Sequence, residues 1–391
     1  MRILICSFTF SPQANGVAEV VREHAIGLVA LGHELTVATA FDPQRATVQP
    51  VPGVLVREFK VKADPRTKAG ASGDITAYQD FVANADADVI LCHCWGAWPT
   101  DLAIPVLWRH QARKIFVSHG FAAHYWHRQR KFPWGLAQWL RQQPYVWSLP
   151  QRMRAFDHIV FLSERVDCAR FFDHWLLERF GGPPWSVIPN GTWPERFQGD
   201  RESFRSKHGL ARKFVVLNVS MYAPSKGQEI ALRAFSQSGI TDAVLVFIGN
   251  EINDYARRLQ RLAAQLPLGT GSSVQFLERL NRDRIREAYQ ACDLFLLASK
   301  GETQPLVLLD AMACGRPFIS TKVGCVSEFP GGLTVADGED MATQLRTLRG
   351  DAARLSELSK LGLTAARSTY YWPRIITAYD GLIGSLVRRS V

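Results

Sequence analysis

The chain has 391 residues and lacks several features that would place it in a simple class. It contains no run of about 18 uncharged apolar residues, so no membrane-spanning helix is expected. Its seven cysteines are an odd number scattered over a long chain, which is typical of reduced thiols rather than of a disulfide framework. Glycine (29 residues) and proline (20 residues) are too few for a collagen-like or low-complexity tract. These features predict a globular, cytoplasmic protein.

Familiar catalytic and nucleotide-binding motifs are also missing. The first predicted strand is not followed by G-x-G-x-x-G, the fingerprint of a dinucleotide site, and the chain has neither a P-loop nor a G-x-S-x-G nucleophile elbow. The run Cys92-His93-Cys94 could be half of a zinc site, but no second pair stands at finger-like spacing. We prefer to interpret these three residues as alternating positions at the end of a strand. We expect no metal and no cofactor.

Carboxylates are absent from residues 102–156, a segment that carries nine lysines and arginines and most of the net charge of +10. Within residues 125–154, aromatic residues alternate with basic ones. This pattern suits phosphates or an anionic membrane surface, and an ordinary solvated basic loop is the alternative. The segment contains no recognisable nucleic-acid-binding motif, so we expect no nucleic-acid partner.

Buried strand-like runs alternate with amphipathic helical runs on both sides of residue 190. The first run, residues 2–8, is followed by a helical pattern over 16–31 with apolar residues at i, i+3 and i+4. A second series of strands and helices begins at Phe214. This alternation predicts an α/β protein with two doubly wound, Rossmann-like domains that face a central cleft, where ligands of such sheets bind.

The expected domain boundaries follow from this pattern. The N-terminal domain is predicted to span 1–192, with a C-terminal helix at 370–391 packing back onto it. The second domain is predicted to span 193–369.

The most informative stretch is residues 294–328. A buried strand runs into a loop, and a helix is predicted to begin near Thr303 as N-cap, with Pro305 in its first turn. The backbone N–H groups of residues 303–306 and the helix dipole would form an anion site, most simply for a diphosphate.

Two carboxylates, Glu302 and Asp310, flank this predicted anion site. Eight helical residues would separate them by roughly 12 Å. A hydrolase with paired carboxylates needs about 5–9.5 Å, so this spacing does not favour one. It suits the two ends of a nucleotide sugar, where one carboxylate accepts hydrogen bonds from sugar hydroxyls and the other from a ribose.

This stretch resembles the E-x7-E region of family 4 of the retaining glycosyltransferases, which have the GT-B fold, with Asp310 at the second acidic position. The resemblance covers nearly the whole chain in order. Further matching segments are residues 15–19, 88–95, 118–120, 187–191, 219–227, 276–299 and 323–328.

The resemblance implies a hexosyltransferase that moves a sugar from a UDP- or GDP-linked nucleotide sugar to a glycan or lipid-linked glycan acceptor, with retention of anomeric configuration. The expected setting is the synthesis of bacterial surface polysaccharide or glycoconjugate. The N-terminal domain would bind the acceptor and the C-terminal domain the donor, with no metal required. Residues 125–154 would attach the protein peripherally to the inner leaflet of the cytoplasmic membrane.

The resemblance also implies roles for individual residues. The expected catalytic residues are His119, Lys226 and Glu302. The expected donor-binding residues are Asn15, Gly16, Ser220, Arg279, Leu280, Thr303, Gln304, Pro305, Leu306 and Asp310.

Several positions depart from the family pattern. Met221 stands where the family usually has an arginine that grips the diphosphate, and we expect Arg279 to substitute for it. Asp310 is one methylene shorter than the usual glutamate, and residues 303–305 replace the usual Gly-Phe-Gly, which predicts an unusual sugar pocket. Two alternatives stay open: a non-catalytic nucleotide-sugar or glycan-binding protein, and a nucleotide-sugar epimerase with the GT-B fold.

Overall fold

A computed structural model describes residues 1–63, 70–121, 134–164, 172–197 and 199–388 of the chain. The chain divides into two compact units. Unit 1 comprises residues 1–190 and 372–391, and unit 2 comprises residues 191–371. The predicted boundaries, at 192 and 370, differ from these by two residues.

Unit 1 is built on a seven-stranded parallel sheet with the strand order β3-β2-β1-β6-β7-β8-β9. These strands are β1 (Arg2–Cys6), β2 (Glu34–Ala40), β3 (Val54–Phe59), β6 (Val89–His93), β7 (Arg113–Val117), β8 (His158–Phe161) and β9 (Trp185–Val187). Two short antiparallel strands, β4 (Val61–Lys62) and β5 (Ser72–Gly73), pair separately. Both faces of the parallel sheet are covered, so its central strands are almost continuously apolar.

The helices of unit 1 are α1 (Gly16–Ala30), α2 (Ile75–Ala83), α3 (Trp98–Leu107), α4 (Trp134–Met153), α5 (Phe172–Phe180) and the C-terminal α13 (Trp372–Arg388). Helix α13 packs against α1 although more than 340 residues separate them in the chain. Ile376 lies against Gly27 of α1, and His33, just after α1, has its Nε2 at 2.9 Å from Asp380 Oδ1. A side chain on Gly27 would overlap Ile376, so this glycine permits the close approach of the two helices.

Unit 2 has a six-stranded parallel sheet with the order β12-β11-β10-β13-β14-β15. Its strands are β10 (Phe214–Val219), β11 (Ala243–Gly249), β12 (Ser273–Glu278), β13 (Leu294–Leu297), β14 (Phe318–Thr321) and β15 (Gly332–Val335). Its helices are α6 (Arg201–Lys207), α7 (Gln228–Ser238), α8 (Asp254–Gln265), α9 (Arg282–Ala291), α10 (Leu306–Ala313), α11 (Gly338–Gly350) and α12 (Ala352–Arg367). One apolar cluster lies on each face of this sheet.

The prediction of an α/β protein with two doubly wound units is confirmed. The predicted run at residues 2–8 contains β1, and the second series of strands begins with β10 at Phe214, as predicted. No helix in the described part of the chain is long and apolar enough to cross a bilayer.

Candidate functional site

The charged centre of unit 2 is an ion pair between two of the predicted residues. Lys226 Nζ donates to Glu302 Oε1 at 2.7 Å, and both side chains are partly buried. Lys226 ends a short 3-10 turn after β10, and Glu302 lies in the loop after the neighbouring strand β13. Because the carboxyl ends of adjacent parallel strands share one edge of a sheet, residues 76 positions apart meet here.

The two loops that carry this pair also contact each other through their backbones. The amide of Lys300 donates to the carbonyl of Ser225 at 2.9 Å. Gly227 follows with a φ of 63°, in the left-handed region, and a Cβ at this position would overlap the carbonyl oxygen of Ala298. Glycine is therefore required here for two reasons, its backbone conformation and the close approach of the next loop.

A chain of buried polar groups supports the start of the Lys226 loop. The Gln228 side chain is fully buried, and its Nε2 donates to Ser220 Oγ and to the Met221 carbonyl, both at 2.8 Å. Ser220 Oγ in turn donates to Asn218 Oδ1 at 2.9 Å. Ser220 was predicted as donor-binding, and in the structure its hydroxyl holds this loop. Gln228 was not predicted, because a glutamine at a helix start gives no sequence signal of burial.

Met221 presents an apolar side chain that is 55% exposed, at the position where the resemblance implies an arginine. Arg279 was expected to replace the missing arginine at the diphosphate. Its side chain is 74% exposed, and its Nε lies 3.8 Å from a carboxylate oxygen of Glu278. It lies after β12, two strands away from β10 in the sheet, with a φ of 55°. The following Leu280 packs at the edge of an apolar cluster.

The predicted start of the helix after Glu302 is wrong. Helix α10 begins at Leu306 with Pro305 as N-cap, and no side chain caps it. The proline ring disfavours helical backbone at Gln304, which excludes Thr303 as the cap. The anion-binding backbone expected at residues 303–306 is therefore reduced, because Pro305 has no N–H and the helical amides begin at Leu306.

Thr303 and Gln304 instead hold the loop against the segment after β14. The carbonyl of Thr303 accepts the Cys325 amide at 3.0 Å, and the buried Gln304 side chain bonds to the Cys325 thiol. Gly324, with a φ of 52°, approaches so closely that a Cβ would overlap the Thr303 carbonyl oxygen. These contacts fix the backbone that carries Glu302.

Asp310 is half-buried on α10 and accepts a hydrogen bond from Thr192 Oγ1 at 3.0 Å. Burial of the neighbouring Tyr289 hydroxyl raises its pKa, and the negative charge of Asp310 raises that pKa further. The bond from Thr192 therefore involves Asp310, one of the departures from the family pattern noted in the sequence. A ribose contact by Asp310 stays a prediction.

In unit 1, His119 follows β7 and its Nε2 lies 3.0 Å from Nδ1 of His93, the last residue of β6. The ring of His24, on α1, lies 5.6 Å from that of His93. Burial lowers the pKa of His119 to about 4 and that of His24 to about 3, and it holds the pKa of His93 well below its ordinary value. The three imidazoles are therefore neutral at physiological pH and can act only through hydrogen bonds.

A buried carboxylate holds the backbone turn that contains His119. Asp173, on α5, accepts hydrogen bonds from Ser118 Oγ at 2.5 Å and Trp95 Nε1 at 3.0 Å. Ser118 Oγ also accepts the Gly120 amide at 3.1 Å. Burial raises the pKa of Asp173 to about 6. Sequence reasoning missed this residue, because an acid in the first turn of a helix usually lies on the surface.

Asn15 and Gly16 were predicted to contact the donor. Asn15 is the N-cap of α1, where its Oδ1 accepts the Ala18 amide at 3.0 Å and its Nδ2 donates to Thr9 Oγ1 at 2.8 Å. Gly16 is the first, exposed residue of that helix. The structure gives Asn15 a structural role as a helix cap, and the donor contact of Asn15 and Gly16 stays a prediction.

Sequence models of two glycosyltransferase families match this chain. The model described as "Glycosyltransferase Family 4" matches residues 14–196, and the model described as "Glycosyl transferases group 1" matches residues 200–331. The two matches adjoin and cover most of both units. The chain belongs to glycosyltransferase family 4.

Individual relatives match over part of the chain. A D-inositol 3-phosphate glycosyltransferase of Rhodococcus opacus is 34% identical over 200 residues, which are 47% of this chain and 45% of the relative. A GDP-mannose-dependent alpha-(1-6)-phosphatidylinositol monomannoside mannosyltransferase of Mycolicibacterium smegmatis is 27% identical over 234 residues, 54% of this chain and 60% of the relative. This chain therefore spans about half the length of the curated relatives that it matches.

Solved structures match the family 4 chain over nearly its full length. Sucrose-phosphate synthase of Thermosynechococcus elongatus has a TM-score of 0.75 at 20% identity and covers 99% of both chains. HepE of Anabaena, in complex with UDP and glucose, has a TM-score of 0.75 at 18% identity and covers 98% of this chain and 100% of its own. At this identity the matches show the fold alone, and they confirm the predicted GT-B fold.

We predict that Gly227→Ala destabilises the protein by several kcal/mol, because strain in the left-handed region adds to the overlap with Ala298. Gly239→Ala is a matched control, since Gly239 has the same φ of 63° but nothing within 4 Å of a Cβ. We expect the control to cost about 1–2 kcal/mol. Urea unfolding of both variants measures the difference, and equal losses would show that the overlap is relieved at no cost.

We also predict a pH-dependent contribution from Asp173. Its folded pKa of about 6 lies above the ordinary unfolded value near 3.9, so the folded state binds the proton more tightly. The resulting stabilisation is fully present below about pH 4 and is lost as the pH rises through about 6, a change of about 3 kcal/mol. Asp173→Asn should remove this loss in urea unfolding measured between pH 4 and 7.

The exposed carboxylate of Asp80 on α2 provides the control for this experiment. Asp80→Asn should follow the wild-type pH profile. A wild-type profile that runs parallel to that of Asp173→Asn would contradict the assignment of the titration to Asp173.

Proposed function

We propose that this family 4 protein is a retaining glycosyltransferase that uses a UDP- or GDP-linked sugar and a glycan or lipid-linked glycan acceptor. The observation that carries the proposal is the contact between Lys226 Nζ and Glu302 Oε1, which joins the two charges expected at the leaving group and at the sugar. Relatives support the donor class, since one is GDP-mannose-dependent and HepE is solved with UDP and glucose.

The chemistry follows from the charges that develop when the donor reacts. The bond between the sugar's anomeric carbon and the diphosphate breaks, and the diphosphate gains negative charge. Lys226 and the first amides of α10, beginning at Leu306, would stabilise that charge. Glu302 would exchange its contact with Lys226 for a sugar hydroxyl when the donor binds. Asp310, bonded to Thr192, would receive the ribose hydroxyls.

The acceptor oxygen then forms the new bond to the anomeric carbon. With retention of configuration, the leaving phosphate and the arriving hydroxyl share one face of the sugar, so a phosphate oxygen can take the acceptor's proton. His119, neutral and bonded to His93, would contribute a hydrogen bond rather than a charge. No step in this scheme needs a metal, and the absence of a metal requirement stays a prediction.

The exposed Met221 favours one alternative, a non-catalytic protein that binds nucleotide sugars. A missing guanidinium removes a bidentate contact worth about 1.5–3 kcal/mol, which weakens the grip on a diphosphate. Donor binding without release of nucleoside diphosphate, over a panel of acceptors, would support the alternative. An epimerase would instead convert the donor with no acceptor present.

Helix α4 supports attachment to a membrane, and the setting that we propose for it is the synthesis of surface polysaccharide or glycoconjugate. Leu136, Leu140 and Trp147 are exposed, and Trp147 is 77% exposed. At 100° per residue, the three side chains project within an arc of about 40° on the helix. Residues 125–133 of the predicted basic segment lie outside the described residues. We propose that this stripe and the surrounding basic residues attach unit 1 to anionic lipid.

We predict that Lys226→Ala and Glu302→Ala each lower nucleoside diphosphate release by at least about 100-fold, because each removes a charge aimed at the reacting donor. Asp310→Ala should raise the dissociation constant of the donor more than it lowers the rate of release. The assays are nucleoside diphosphate release over a donor panel and calorimetric donor binding.

Lys360→Ala, a change at an exposed lysine on α12, is the control and should keep wild-type turnover. The thermal midpoints of all variants should stay close to that of the wild type. Normal turnover in Lys226→Ala and Glu302→Ala would show that the active site lies elsewhere.

We predict that the protein floats with vesicles of phosphatidylcholine and phosphatidylglycerol in low salt, and much less with phosphatidylcholine alone. Leu140→Ser combined with Trp147→Ser should reduce recovery, because the apolar stripe is lost. Trp108→Ser removes an exposed tryptophan at another place in unit 1 and should float as the wild type does. Equal recovery on both kinds of vesicle would contradict the membrane proposal.

A further inference from the structure

Unit 1 contains a cavity of about 660 Å³ that none of the predicted catalytic or donor-binding residues lines. It lies at the carboxyl edge of the parallel sheet, where Phe8 follows β1, Ala40 ends β2 and Cys94 follows β6. This edge is where ligands of doubly wound sheets bind, and the volume lies within the usual range for small-molecule sites of about 300–1,000 Å³.

The wall of the cavity is mainly apolar. Trp95 and Trp98 contribute buried indoles, and Val61 and Leu102 contribute branched aliphatic side chains. Phe8 also lines it and is 38% exposed, so an aromatic ring faces the open cavity. A hydrocarbon group placed here would remove apolar surface from water on both partners, which is favourable by about 25 cal/mol per Å².

Polar side chains gather at one end of the cavity and are already bonded to one another. Tyr145 Oη accepts the Gly96 amide at 2.6 Å and donates to Asp101 Oδ1 at 2.8 Å. Arg152 Nη1 donates to the same Asp101 oxygen at 3.3 Å, and Arg152 Nε donates to Ser148. Arg152 Nη2 donates to no residue in the described part of the chain, so it can bind an oxygen of a ligand.

We propose that this cavity binds the hydrocarbon part of an amphiphilic acceptor, with the acceptor's oxygen-bearing group at Arg152. The proposal rests on the transferase function above and narrows its acceptor to the lipid-linked class. A free glycan fits the cavity poorly, because its hydroxyls would face apolar walls and lose hydrogen bonds to water without replacement.

Two further observations connect the cavity with the proposed function. Cys94, in its wall, directly follows His93, whose imidazole contacts His119. Tyr145 and Arg152, at its polar end, belong to the same helix α4 that exposes Leu140 and Trp147. A lipid-linked acceptor reaching the cavity from a membrane surface would therefore pass along a helix suited to both environments.

The test is calorimetric binding of alkyl β-glucosides to the full chain, below their micelle concentrations. The sugar is constant in this series, and the chain lengthens from methyl through hexyl and heptyl to octyl. We expect each methylene from hexyl to octyl to tighten binding about fourfold, from about 0.8 kcal/mol per buried CH₂. No dependence on chain length, or tighter binding of a free disaccharide than of octyl glucoside, would overturn the proposal.

Variants of the cavity wall test whether octyl glucoside binds in this cavity. Ala71→Trp fills the cavity and should weaken octyl glucoside binding at least tenfold, whereas Ala77→Trp, on the exposed side of α2, should bind as the wild type does. If Ala71→Trp does not fold, Phe8→Asp places a charge on the wall at a partly exposed position and should weaken binding similarly. Octyl glucoside binding by either folded wall variant with wild-type affinity would overturn the assignment to this cavity.

A parallel titration with UDP and GDP separates this proposal from the transferase function. If neither UDP nor GDP binds, the transferase proposal is contradicted and the cavity proposal is not. Chain-length-dependent binding that Ala71→Trp or Phe8→Asp abolishes would still support the cavity as a hydrocarbon site.

Discussion

The contact between a lysine ammonium and a glutamate carboxylate at the edge of the unit 2 sheet is the interaction on which the proposed chemistry depends. Lys226 and Glu302 are partly buried, so their attraction is less screened than that of a surface pair. The backbone around them is fixed independently, by the Lys300–Ser225 hydrogen bond and by the close approach of Gly227 to Ala298. A donor can therefore displace the ion pair without rebuilding the loops that carry it.

Unit 1 uses neutral groups where unit 2 uses charges. Three imidazoles form a row in space from α1 to the sheet edge: His24, His93 and His119. Burial keeps all three uncharged at physiological pH. Asp173 fixes the turn at His119 because it accepts a hydrogen bond from Ser118 Oγ, which in turn accepts the Gly120 amide. Such a site can orient hydroxyl groups precisely while it contributes little to the binding of an anion, which suits the acceptor side of a transferase.

Helix α4 combines two surfaces that differ in character. One side exposes Leu136, Leu140 and Trp147, and the other brings Tyr145 and Arg152 to the apolar cavity. The membrane and cavity proposals therefore concern one element of unit 1. Both proposals place an amphiphilic acceptor on unit 1, and the family resemblance also implies that the acceptor binds to unit 1.

The sequence by itself determined the α/β class and the two series of strands, because buried parallel strands are continuous apolar runs. Only the tertiary structure decided that Lys226 meets Glu302, what Asp310 touches, and that Asp173 is buried. The start of α10 was mispredicted for a local reason, the backbone restriction that Pro305 places on Gln304. The other features depend on contacts between residues distant in the chain, such as Thr192 with Asp310. Local patterns carry no record of such contacts, since burial and partners are properties of the packed chain.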